Sequence, residues 1–138
     1  GRVALARGGI EAASGGAPRA LWPGAGTGHA RRPLLRAHPL LDDGRITGDV
    51  FGRRVLHAGG EVRRWARPVF RIVRIAPAMF VDAARAWRRQ TPGEAWHVDA
   101  GVGMRITAAG SGVLRIDVAK GLRDGATQLS AGWSVGFD

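Results

Sequence analysis

Four histidines, His29, His38, His57 and His97, are the side chains best suited to ligating a metal or moving a proton. They lie far apart in the chain and form neither an HxH pair nor an HExxH motif, and no cysteine is present to add a thiolate. The lack of cysteine also excludes a disulfide framework. Pro23-Gly24-Ala25-Gly26-Thr27-Gly28-His29 has the glycine content of a phosphate cradle. It lacks a Gly-Lys-Ser/Thr ending and is not set between a strand and a helix, so it reads as a flexible loop. No Gly-x-Ser-x-Gly elbow offers a nucleophilic serine. Asp99 and Asp117 could be paired as catalytic carboxylates, but beside Arg105 and Arg115 they read better as a charge ladder across neighbouring strands. The sequence therefore predicts no enzyme, no metal centre and no cofactor.

The net charge of +10 comes almost wholly from arginine, with Lys120 the only lysine. Such a charge suits a polyanion. The arginines, however, neither gather on one helical face nor interleave with stacking aromatics. Arg63, Arg74, Arg105 and Arg115 recur singly within alternating segments, while Arg31-Arg32 and Arg88-Arg89 fall in loops. Nucleic acid is not expected as a partner. No run of about eighteen apolar residues could form a transmembrane helix, and no charged-then-apolar leader opens the chain. Because it begins with Gly1, it is expected to be a piece of a longer protein.

Those arginines sit in segments of period two. At the C-terminus Leu129, Ala131, Trp133, Val135 and Phe137 alternate with Gln128, Ser130, Gly132, Ser134 and Gly136. Leu114, Ile116 and Val118 alternate with Arg115, Asp117 and Ala119. From Trp96 to Ile106, an apolar set (Trp96, Val98, Ala100, Val102, Met104, Ile106) opposes His97, Asp99, Gly101, Gly103 and Arg105. Phe70 to Trp87 holds another strand, with Met79, Val81 and Ala83 opposite Phe80, Asp82 and Ala84, and Pro77 predicts a bulge or a gap in pairing. Val81 to Arg89, rich in Ala and Arg without a helical stripe, reads as strand end and loop. Val55 to Trp65 and Arg2 to Ala12 are further, weaker strands. An apolar face opposite a polar one, over ten or so residues, is what a tilted strand crossing a bilayer needs. The fold class is all-β: an antiparallel up-and-down meander of five to six strands, the C-terminal portion of an incomplete transmembrane barrel, with residues 1–138 as one domain.

Connection lengths alternate in the same sense. Short turns are expected at Ala66-Arg67-Pro68 and Ala109-Gly110-Ser111, and longer connections at Arg88 to Ala95 and Gly121 to Gly125. The longest runs from Ala13 to about Ile46.

Ser130, Gly132, Val135 and Phe137 fill every specified position of a pattern that resembles the C-terminal β-signal of bacterial outer-membrane barrels. The chain also resembles the C-terminal part of the BamA/TamA-like surface-antigen family. Leu35-Arg36-Ala37-His38 resembles the family's loop-tip tetrad, Phe80-Val81-Asp82 its Phe-x-Asp strand, Glu61-Val62-Arg63 its Glu-aromatic-Arg strand, and Gly101-Val102-Gly103-Met104-Arg105 its Gly-x-Gly-Leu-Arg strand. Ala37 and His38 depart from the family's glycine and aromatic. The resemblance implies a sixteen-stranded barrel whose long loop folds into the lumen, with Arg36 contacting Asp82. Parity adds Glu61 as second acceptor, because Asp82 and Glu61 both face inward and an arginine drawn out of water needs carboxylate partners.

The resemblance further implies a bacterial outer-membrane protein that inserts, assembles or translocates proteins without a cofactor. Its partners would be outer-membrane lipid, the assembly machinery that reads the last strand, and unfolded client proteins. Two other readings stay open: a passive barrel that anchors or exports a separate domain such as a patatin-like lipase, and a soluble basic β-domain that binds polyanions.

Overall fold

Alternation becomes strand in six long stretches. The computed structural model describes residues 1–28, 33–46, 48, 50–68, 72–87, 95–108 and 112–134. Its strands are β1 (Arg2–Ala12), β2 (Leu41–Asp42), β3 (Arg45–Ile46), β4 (Arg54–Arg64), β5 (Val73–Trp87), β6 (His97–Ala108), β7 (Val113–Gly121) and β8 (Thr127–Ser134). One antiparallel sheet runs in the order β1-β4-β5-β6-β7-β8, so each strand pairs with the next long one in the chain. It is open: β1 and β8 are its edges and do not pair with each other. The all-β meander is thus present, whereas barrel closure is not. β2 and β3 form a separate small hairpin in the long loop. Asp43 and Gly44 turn it with φ of 46° and 74°, the left-handed pair that a two-residue hairpin favours.

Register fixes which side chains share a face. Leu5, Glu61 and Phe80 stand opposite one another across β1, β4 and β5, and Asp82 stands opposite Asp99 across β5 and β6. Glu61, Arg63, Phe80, Asp82, Asp99, Arg105 and Asp117 are all buried on this side. The other side carries Val62, Met79, Val81, Val102, Met104, Ile116, Val118, Leu129 and Trp133, all exposed. The usual order of a soluble sheet is inverted here: charge lies covered and apolar surface lies open.

The cover is the segment 13–53, longer than the expected 13–46. Ala13 and Arg53 close its base through a 2.8 Å backbone bond. Above the base the chain doubles on itself: Ala25 N–H donates to Val50 O, both Leu34 and Leu35 N–H donate to Ala25 O, and Thr27 N–H donates to His38 O. Within Gly24 to Gly28 the backbone is thus bonded to the returning chain. A Cβ at Gly26 would lie 2.5 Å from His38 O and 2.8 Å from Leu40 N, so glycine lets two backbones pack together. Ala25, Leu34, Leu35 and Val50 then bury against Val55, Ala84 and Ala86 of the sheet.

One further expectation changes and two hold. Gly121 to Gly125 is a tight turn, with Gly121 N–H donating to Ala126 O at 2.7 Å, not a long connection. Of the bulge or gap expected at Pro77, the gap is present. The β4 ladder ends at Arg63↔Ala78, one residue short of it, while β5 and β6 keep register through Pro77↔Met104. Pairing on the β4 side is interrupted only locally, since Ala66 N–H donates to Ile75 O at 2.9 Å. β5 also stays extended through Trp87, the strand end expected for it. Residues 88–94, 109–111 and 135–138 lie outside the described residues, and with them Val135 and Phe137 of the expected β-signal.

Gly101 tests this packing. A Cβ there would lie 2.5 Å from Phe80 Cζ and closer still to Val118 O, whereas one at the outward Gly60 would meet nothing nearer than 3.9 Å. Gly101→Ala should lower stability by about 1–3 kcal/mol and Gly60→Ala by no more than about 0.5 kcal/mol, read as shifts of the denaturant midpoint.

Candidate functional site

The loop reaches the sheet through one side chain. Leu35 and Ala37 are fully buried on either side of Arg36, which is itself 1% exposed. Parity had already set three carboxylates beneath it. Arg36 Nη1 donates to Glu61 Oε2 at 2.8 Å and to Asp117 Oδ2 at 3.2 Å. Arg36 Nε lies 2.9 Å from Asp82 Oδ2, an ion pair bent away from a straight hydrogen bond. Its Cζ sits 3.7 Å from the centre of the Phe80 ring. A guanidinium suits this position because its donors fan out in a plane while its face rests on the aromatic. The structure thus brings together all four residues singled out for the loop contact: Arg36, Asp82, Glu61 and Phe80.

More residues join than the sequence reading named. Arg105 grips Glu61 with two donors, Nε to Oε1 at 2.8 Å and Nη2 to Oε2 at 2.6 Å, and reaches Asp117 Oδ1 at 2.5 Å. Arg63 Nε donates to Glu61 Oε1 at 2.5 Å, and Arg115 Nε lies 3.2 Å from Asp117 Oδ2. Arg7, from β1, donates to Asp82 Oδ1 at 2.9 Å and to Leu34 O at 3.2 Å. The ladder of Asp117 with Arg105 and Arg115 is present, but Asp99 takes no part in it.

Asp99 instead holds the next two residues of the loop tip. Its Oδ2 accepts from Ala37 N–H at 2.6 Å, and its Oδ1 lies 2.8 Å from His38 Nδ1. Ala37 and His38 each have a local role. Ala37 does not have positive φ, so no glycine is required, and its methyl packs with Phe80 and Ala119. His38 packs edge-on against His97 at 4.9 Å between ring centres, and its Nε2 meets Asp124 Oδ2 at 2.7 Å. Asp99, with Asp124 adding to it and burial opposing, pushes the His38 imidazole up to about 9. His38 is therefore a cation at neutral pH. The Ala126 N–H and His38 together hold the Asp124 carboxyl below its usual range. Sequence separation hid this cluster, because His38, His97 and Asp124 belong to a loop, a strand start and a turn.

Of the residues expected to form a β-signal, Ser130 and Gly132 lie on the inward face of edge strand β8, opposite Asp117 and Arg115. They are remote from the Arg36 tip except through those two partners.

Chemically, the network binds a segment of its own chain. Truncating one side of a buried ion pair costs about 3–5 kcal/mol. Glu61 and Asp117 keep Arg105, and Asp82 keeps Arg7, so Arg36→Met should fall near about 3 kcal/mol. The check is limited proteolysis, with cleavage within 13–53 accelerating while the strands stay resistant. Arg36→Lys, which keeps the charge but loses the planar fork, should lie between the two proteins. No family model, curated protein or solved structure matches this chain.

Proposed function

We propose that the chain forms the C-terminal part of an outer-membrane β-barrel that inserts, assembles or translocates proteins at that membrane. The observation that carries the reading is the inverted sheet: a continuous exposed apolar face from β4 to β8, opposite a charged face covered by the chain's own loop. Charges on the apolar side stand only near strand ends, with Arg54, Arg85 and Lys120 towards one rim and Arg2 and Arg64 at the other. Between them β5 and β6 offer about ten residue steps. At ~3.3 Å per residue and a tilt near ~45°, this spans roughly 23 Å, close to the apolar band of outer-membrane barrels. Trp96 and Trp133, both exposed, flank the band at opposite ends.

Six strands fall short of the roughly eight at which single-chain barrels close. The free edges of β1 and β8 would then pair with further strands, from more of the same protein or from other copies. In the closed form the inward face becomes the lumen, and the loop pinned by Arg36 becomes a plug of fixed position. A barrel that handles client proteins would use that position, whereas a passive anchor has no need of it. Carboxylates already occupy Arg36, Arg63, Arg105 and Arg115, which speaks against a role for these four as a polyanion surface.

Arginine at an outward midpoint should cost about 2–4 kcal/mol in lipid. Val102→Arg or Val118→Arg should therefore abolish recovery of folded protein in membranes, while Gln128→Arg, on the inward face, should not. Native protein that stays soluble and monomeric without detergent would sink the membrane reading. Loss of client insertion in Arg36→Met protein that still reaches the membrane would separate an assembly role from an anchor.

A further inference from the structure

Where the loop tip meets the rim of the sheet, three side chains from distant parts of the chain converge. His38 comes from the loop, His97 opens β6, and Asp124 sits in the β7–β8 turn. Their facing atoms are 2.7 Å (His38 Nε2 to Asp124 Oδ2), 3.2 Å (His38 Nε2 to His97 Nδ1) and 3.8 Å (His97 Nδ1 to Asp124 Oδ2) apart. Ligands about 2.0 Å from a tetrahedral zinc ion lie about 3.3 Å from one another. The three spacings scatter around that edge, so small side-chain adjustments would close the shell.

His38 and Asp124 are held in place from behind. Asp99 Oδ1 lies 2.8 Å from His38 Nδ1, which leaves Nε2 pointing to the cluster. A carboxylate behind the far nitrogen of a histidine is the usual support of a metal-bound imidazole. Asp124 Oδ1 accepts from Ala126 N–H at 3.0 Å, which leaves Oδ2 for the cluster. The turn is in turn tied to β6, with Leu122 N–H donating to Val98 O at 2.8 Å. Gly121 leaves room beside them: a Cβ there would lie 3.0 Å from His38 Cε1 and collide with Asp124 Oδ1.

We propose that His38 Nε2, His97 Nδ1 and Asp124 Oδ2 form a binding site for a divalent transition-metal ion, zinc by preference, that staples the loop tip to the rim of the sheet. Two imidazoles and one carboxylate suit zinc, and exclude the all-oxygen shell that calcium or magnesium requires. Asp124 is on the solvent side of the cluster, so water can take the fourth position. On binding, two ring nitrogens and one carboxylate oxygen each donate a lone pair to the ion, and the proton on His38 Nε2 leaves for solvent. The metal would then do at the rim what Arg36 does deeper in, joining the same loop to different strands. The inference does not depend on the membrane reading.

The test is Co2+ titration of the protein in detergent micelles. The expected result is one ion per chain, with the visible absorption of a four-coordinate site, displaced by Zn2+. Paramagnetic shifts should strike the rings of His38 and His97 and spare that of His57. His97→Gln should weaken binding at least tenfold, and Asp99→Asn, through the orientation of His38, about tenfold. Zn2+ should also slow proteolysis of the 13–53 segment relative to protein in EDTA. Dissociation in the millimolar range or weaker would overturn the proposal. So would an unchanged spectrum in His97→Gln protein, or paramagnetic shifts that miss His38 and His97.

Discussion

Arg36 is a cation held where water scarcely reaches, and the inward face of the sheet is arranged around it. A guanidinium taken out of water loses several kcal/mol of hydration and must regain it from carboxylates placed in advance. Glu61, Asp82 and Asp117 supply them from three different strands. Those carboxylates would repel one another if left alone, so Arg7, Arg63, Arg105 and Arg115 share them. The result is a connected lattice of charge in which no single pair can be removed in isolation. An apolar core of the same volume could be as stable. What the charged lattice adds is position, since one loop residue fits it in one place.

This lattice and the apolar face are consequences of the same parity. In a strand every second residue changes side. Once Glu61 and Asp82 point towards the loop, Val62 and Val81 must point away from it, and the registers carry the choice across all six strands. The loop relieves one face by covering charge with Leu34, Leu35 and their neighbours. Nothing in the described residues relieves the other face, and a bilayer is the surrounding that would do so at least cost.

Much of this was legible in the chain because period two is a local signal. It located the long strands, assigned their faces and put Asp82 and Glu61 on the side where Arg36 would arrive. The tetrad around Arg36 was found through resemblance together with that parity. Other features depend on tertiary contacts that no local pattern encodes. The glycines at 24–28 read as a loop, and at Gly26 the missing side chain is what lets two backbones meet. His38, His97 and Asp124 looked unrelated, since only the folded loop and the β7–β8 turn bring them to one rim.

In the proposed barrel the outward face would meet lipid, while the chain's own loop fills the inward face. With no cysteine in the chain, spin labels can be introduced singly at each position from Val98 to Ile106 along β6 without first removing a native thiol. Collision rates with lipid-soluble oxygen and with a water-soluble nickel chelate, measured in bilayers, then report each face directly. The account predicts oxygen maxima at Val98, Ala100, Val102, Met104 and Ile106, with the chelate excluded there and minima for both reagents at the loop-covered positions between. Free access of the chelate to Val102 and Met104 would contradict it.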